Sequence, residues 1–258
     1  MSRCSDAGPG GAITAEPERR RETPPDAGIR SRRHGDLMTD RTVRLGGVAA
    51  IIFVVLILVT VVILGSPPAA DDTADKIRRY MVDHRSAMLV TNLLGFIAIP
   101  LAGWFFVALR EVLRGDRTAN ALGTASLVGF LLTAPMVMAA GALYSSVVYL
   151  DGVADGLGDD TVRVVFEAQT LLFAATSAGI VLFSLAAGLA IRRTGALPAY
   201  TMWLAYLATL GNVVAMFSTL DADAWALALP GAITMGLFVL VAGITMAIGR
   251  ATPAAPTA

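Results

Sequence analysis

The sequence predicts an all-α membrane protein, a bundle of six transmembrane helices with both termini cytoplasmic. Three observations predict it. Of 258 residues, 55% are hydrophobic, well above the apolar share of an ordinary soluble domain. The charged residues leave six uncharged stretches, each long enough for the roughly 20 residues that carry a helix across about 30 Å of hydrocarbon. Lipid offers no hydrogen-bonding partner to a backbone, so segments of this kind are helices. The basic residues are also segregated: 15 of 20 fall in the amino-terminal tail and in alternate connections, around Arg110, Arg114, Arg117, Arg192, Arg193 and Arg250. Basic connections stay on the cytoplasmic side, which sets the orientation.

Residues 1–44 are polar, with nine arginines and seven acids and no aromatic residue. They have too little apolar surface to offset ordering entropy, and the expectation is a disordered cytoplasmic tail. The mixed charges and the lack of stacking aromatics argue against a nucleic-acid arm. Met38 opens MTDRTVRLGG just before the first apolar run, and a natural start at Met38 is a second expectation for this region.

The spans are expected at about 45–65, 86–110, 119–148, 166–191, 199–219 and 225–248 within a membrane domain over 45–250, followed by a disordered tail, 251–258. The first is read as a retained anchor. A signal peptide cleaved near Pro68 to Ala70 is the alternative, but the apolar run exceeds the roughly 7 to 15 residues of a signal core. Between the first two spans, residues 71–85 read as an outer amphipathic helix. Asp71 or Asp72 is placed to cap it, and Ile77, Tyr80, Met81 and His84 recur on one face. The triplet DDT recurs at Asp159, a faint hint of a hairpin repeat that shared capping chemistry explains more simply.

Pro100 and Pro135 fall near the middle of the second and third spans and are candidate kinks, whereas Pro230 shapes a first turn. Glycine and alanine at Gly123, Gly129, Gly179, Gly188, Gly236, Gly243 and Ala247 suit close approach between helices. Tyr80, Tyr144, Tyr149 and Trp225 mark the outer interface; Trp104, Tyr200 and Trp203 mark the inner one.

The arginine bias, the segment DDTADKIRRYMVDHR, the closing FVALREVLR of the second span and the turn RRTGALPAYTMW together resemble uncharacterised multi-pass integral membrane proteins of actinobacteria. The resemblance concerns layout over residues 40–250. It implies residence in a bacterial cytoplasmic membrane and no particular activity.

Residues able to carry chemistry are few. One cysteine, Cys4, and two histidines, His34 and His84, allow no disulfide, no cysteine-based metal site and no paired-histidine haem site. Nucleophile, zinc-protease and phosphate-loop signatures are absent, so no catalytic, cofactor-binding or metal-ligating set is expected, and the protein is read as not an enzyme. No span has an ionisable residue at its centre, where proton-coupled carriers place one. The polar residues nearest a span's interior are Asn92, Glu167, Gln169 and Asn212, with Ser145 and Ser146 at similar depth. These candidates line an outward-facing cavity beneath His84 if they converge. The plainer reading has each amide bonded to a neighbouring helix, worth about 0.6 kcal/mol.

Two functions follow from this pattern. One is binding or transport of a small solute through that cavity; the alternative is a structural or accessory component packed against a partner protein. The lipid bilayer is the one partner the sequence specifies, with no nucleic acid. Alkaline phosphatase fused after Arg117 or Arg193 should be inactive, and fused after Asp83 active; the reverse pattern overturns the orientation.

Overall fold

A computed structural model describes residues 26–68, 72–149, 156–220 and 227–251, with side chains from Asp40 onward. The expected cap Asp71 and the interfacial Trp225 lie outside these residues. The chain divides into two units, Met1–Leu37 and Met38–Ala258. The first contributes the opening turns of α1, and the helices after α1 all belong to the second.

The elements are α1 (Asp26–Leu64), α2 (Ala74–Asp83), α3 (Arg85–Val112), α4 (Arg117–Val148), α5 (Asp159–Thr194), α6 (Ala199–Met216), a 3-10 turn (Phe217–Thr219) and α7 (Ala228–Ala247). Among the described residues, six helices are long and apolar enough to cross a membrane: Asp40–Leu64, Arg85–Val112, Arg117–Val148, Asp159–Thr194, Ala199–Thr219 and Ala228–Ala247. Each falls on an expected span. The helix before the first span differs from expectation, since α1 already runs from Asp26 where 1–44 reads as an unstructured tail. Extending an existing helix costs far less than nucleating one, and Asp40 pairs with Arg44 one turn on, at 3.1 Å.

The spans form a ring in which each helix packs antiparallel against the next, and α1 closes it against α3 and α7. Backbones touch at three glycine crossings: Gly47 on Gly243 and Ala247, Gly129 on Gly179 and Phe183, and Gly211 on Gly231. A Cβ at Gly129 would stand 2.5 Å from the Phe183 nitrogen, so any side chain there forces α4 and α5 apart. Many hydroxyls inside the spans are satisfied by carbonyls one turn back, as with Ser184 to Ile180 (2.7 Å) and Thr209 to Ala205 (2.9 Å), whereas the Ser126 and Tyr206 hydroxyls are buried without a partner. Ser184 and Thr209 also meet each other across α5 and α6 at 2.9 Å.

Two apolar clusters fill the ring at different heights. Near the end that holds Arg44, Phe106 stacks on Phe130 with centroids 4.6 Å apart and meets Phe183 edge-on at 4.9 Å. Phe105, Leu109, Phe238 and Met246 complete that cluster. At the opposite end, Ile77 and Met81 of α2 sink among Met88, Val147, Val148, Val162 and Phe166.

The amphipathic helix is therefore a plug. Its cap corrects the expectation of an aspartate: Thr73 is extended, and its hydroxyl accepts the Lys76 N–H at 3.4 Å. The second DDT triplet behaves differently, because α5 is capped at Gly158 and Asp159 and Asp160 lie in its first turn. The faint repeat therefore has no structural counterpart in capping. Arg78 joins α2 to α5 through Asp159 and the Leu157 carbonyl, and its guanidinium is held above its usual pKa, mainly by the Asp159 hydrogen bond. Arg85 donates to the Val148 and Tyr149 carbonyls at 2.8 and 3.1 Å, satisfying oxygens that the end of α4 leaves open. Tyr80 donates to the Leu64 carbonyl at 2.8 Å and ties down the end of α1.

At the Arg44 end, α5 stops on Gly195 with φ +62, whose N–H returns to Ile191 at 2.8 Å. Asp116 caps α4 through the Ala119 N–H (2.8 Å) and is gripped by Arg193, whose Nε and Nη2 lie within 2.6 to 3.0 Å of its oxygens. The Arg193 hydrogen bond, helped by that of Ala119, lowers the Asp116 pKa to about 2. A folded pKa below the unfolded value of about 3.9 means the contribution is complete above that value and is lost as pH falls toward 2. Thermal unfolding in detergent should therefore show a loss of stability between about pH 4 and pH 2 that Asp116→Asn removes.

Candidate apolar cleft

The sequence-selected polar residues go to different places. Asn212 is 3% exposed, and its amide donates to the Ala208 carbonyl at 2.8 Å and the Gly231 carbonyl at 3.2 Å. It is a bolt in the α6–α7 seam. Glu167 is exposed and shares a face of α5 with Leu171, Ala178, Leu182, Leu185 and Leu189, the face turned away from the bundle. His84 ends α2 with its ring stacked on Tyr80, centroids 4.3 Å apart, and Nδ1 3.1 Å from the Tyr80 carbonyl oxygen. Ser145 is buried, and Ser146 donates to Leu143 at 2.7 Å.

Asn92 and Gln169 do come to one height. The Asn92 Oδ1 lies beside Gly141 of α4, 2.6 Å from where a Cβ would stand. Thr133 of α4 lies opposite Thr176 of α5, its hydroxyl 3.5 Å from the Thr176 carbonyl. Two turns from that contact lead along α4 to Gly141 and along α5 to Gln169. Gln169 sits on the inner face of α5, spaced with Phe166, Phe173 and Ile180.

α3 and α4 run unbroken through Pro100 and Pro135. Both prolines are exposed and lie on the outer surface of the ring, so neither opens a broken helix toward its centre.

What the structure opens instead is apolar. On α1 the inward stripe Val43, Ala50 and Val54 is at most 7% exposed. One heptad beyond Ala50 and Val54 the same face carries Ile57 and Val61, which are 39% and 61% exposed. The neighbouring helices agree at this height. Gly46 meets Ala108 and Trp104 of α3, and Gly47 meets Gly243 and Ala247 of α7; about three turns further on, Ile57 stands level with Gly95 and Gly236. A Cβ at Gly95 or Gly236 would meet nothing within 4 Å. Phe173, opposite the outward leucines of α5, is 43% exposed.

In the half of the bundle nearer α2, Ile57 and Val61 of α1 are thus uncovered at the height where Gly95 of α3 and Gly236 of α7 face open space, with Phe173 of α5 exposed at a similar height; this is the candidate cleft. α1 rejoins the bundle above it, where Leu64 packs on the α2 cluster. Its walls carry no ionisable side chain, and among the described residues no group of three His, Cys, Asp or Glu is placed to hold a metal. Such a space excludes ions, because a charge moved into it loses its hydration without gaining a partner.

No family model, curated protein or solved structure matches this chain. The cleft therefore stands on its own geometry. Its wall residues had no distinguishing mark in the sequence: Ile57 and Val61 sit in an unbroken apolar run, and Gly95 and Gly236 are two among 25 glycines. For the seam residue, Asn212→Leu should lower stability by about 0.6 kcal/mol in reversible unfolding from detergent.

Proposed function

We propose that this is an integral protein of a bacterial cytoplasmic membrane, with cytoplasmic termini, that binds a small lipophilic solute between α1, α3, α5 and α7. The observation carrying this reading is the coincidence, at one height, of uncovered inward-facing side chains with two glycines that have open space before them. The solute-binding reading of the sequence assumed a polar cavity reached from outside. The apolar walls move the solute's chemistry to hydrocarbon and its approach to the bilayer, past α1. That route follows from α1 itself, whose residues Val55, Leu58, Val59 and Val62 are 40% exposed or more on the other faces of the same stretch.

The same exposure favours the second reading, in which a partner protein's helix packs against α1 and the chain is an accessory component. The two differ in saturable binding by purified protein. A lipophilic fluorescent probe such as 1-aminoanthracene should bind saturably to the protein in nanodiscs, beyond its partition into empty discs. Gly95→Leu and Gly236→Leu place side chains in open space, so they should weaken that binding at least tenfold while far-ultraviolet circular dichroism stays unchanged. Equal binding by wild type and both variants sinks the solute reading.

A further inference from the structure

We infer that the ligand is a neutral amphiphile, a hydrocarbon chain or ring in the cleft with a hydrogen-bonding head held by Gln169 and Asn92. This rests on the proposal that the cleft binds a lipophilic solute.

Each amide sits one turn beyond a wall residue in the direction of α2: Gln169 beyond Phe173 on α5, and Asn92 beyond Gly95 on α3. The two stand at the height of Gly141, so the apolar walls end in a pair of carboxamides. Both are half-buried, and neither hydrogen-bonds to any group among the described residues. The contrast with Asn212 is direct, since that amide spends its donors on two carbonyls. On α5 at the same depth the threonine hydroxyls are satisfied, Thr170 on Phe166 at 2.9 Å and Thr176 on Phe173.

A carboxamide offers one acceptor oxygen and two N–H donors. Left bare against hydrocarbon it is unfavourable, so a site with two such groups selects a molecule that completes them. An alcohol, a protonated acid or an amide head fits. An ionised head does not, because the nearest cation on α3, Arg85, is two turns away and committed to the Val148 and Tyr149 carbonyls. Glu167, the carboxylate nearest Gln169 in sequence, faces outward and adds no charge to the site.

Displacement of 1-aminoanthracene by dodecanol and by dodecane, in nanodiscs, separates head from chain. With wild type, dodecanol should compete about tenfold better than dodecane after correction for partition. Gln169→Leu should remove most of that advantage and leave dodecane within about twofold, and Asn92→Ala should act in the same direction. Equal competition by the two ligands in wild type, or an advantage for dodecanol that survives both substitutions, overturns the amphiphile. If the probe binds wild type saturably but neither ligand displaces it, the amphiphile alone is overturned; if the probe does not bind saturably, the solute reading falls and this one with it.

Discussion

The bundle depends on close contact between backbones. Among lipid chains, burying one apolar side chain against another gains little, since hydrocarbon surrounds it either way; helices hold together where packing is dense and polar groups meet. Gly47 on Gly243, Gly129 on Gly179 and Gly211 on Gly231 supply that density at three of the ring's seams. Each also fixes a register. The Phe106, Phe130, Phe183 and Phe238 cluster forms where these registers bring four helices to one height.

The cleft is the complement of this arrangement. Gly243 has a partner glycine on α1, whereas Gly236, two turns away on α7, faces open space. Between those positions α1 leaves the bundle, and the plug helix α2 recovers it at Leu64 through the Tyr80 hydroxyl. α1 is thus held at two points with an uncovered stretch between them. The polar clasp around α2, with Arg78 on Asp159 and Arg85 on the end of α4, keeps the roof in place and leaves the walls below it apolar.

The polar residues that the sequence singles out are separated by the rotation of their helices. Asn92, Glu167, Gln169 and Asn212 all lie toward the α2 end, as their distances from the flanking charges required. Helix rotation then separated them: Glu167 turned outward with the leucines of α5, and Asn212 turned into the α6–α7 seam. Asn92 and Gln169 alone reached the same height beside the cleft. The cap was likewise chosen by the backbone, since Asp71, Asp72 and Thr73 are all competent caps and only the backbone angles at Thr73 select among them.

Residue composition and charge spacing alone determined that the chain forms six long apolar helices and an amphipathic helix before the second of them. Those properties follow from local physics: each span satisfies its own backbone and needs no neighbour to be a helix. The ring order, the glycine pairs that touch and the glycines that do not were decided only by the tertiary structure. A glycine's spacing along one helix is the same whether a neighbour approaches it or stands off, so a cleft made by the divergence of α1 leaves no trace in any single segment.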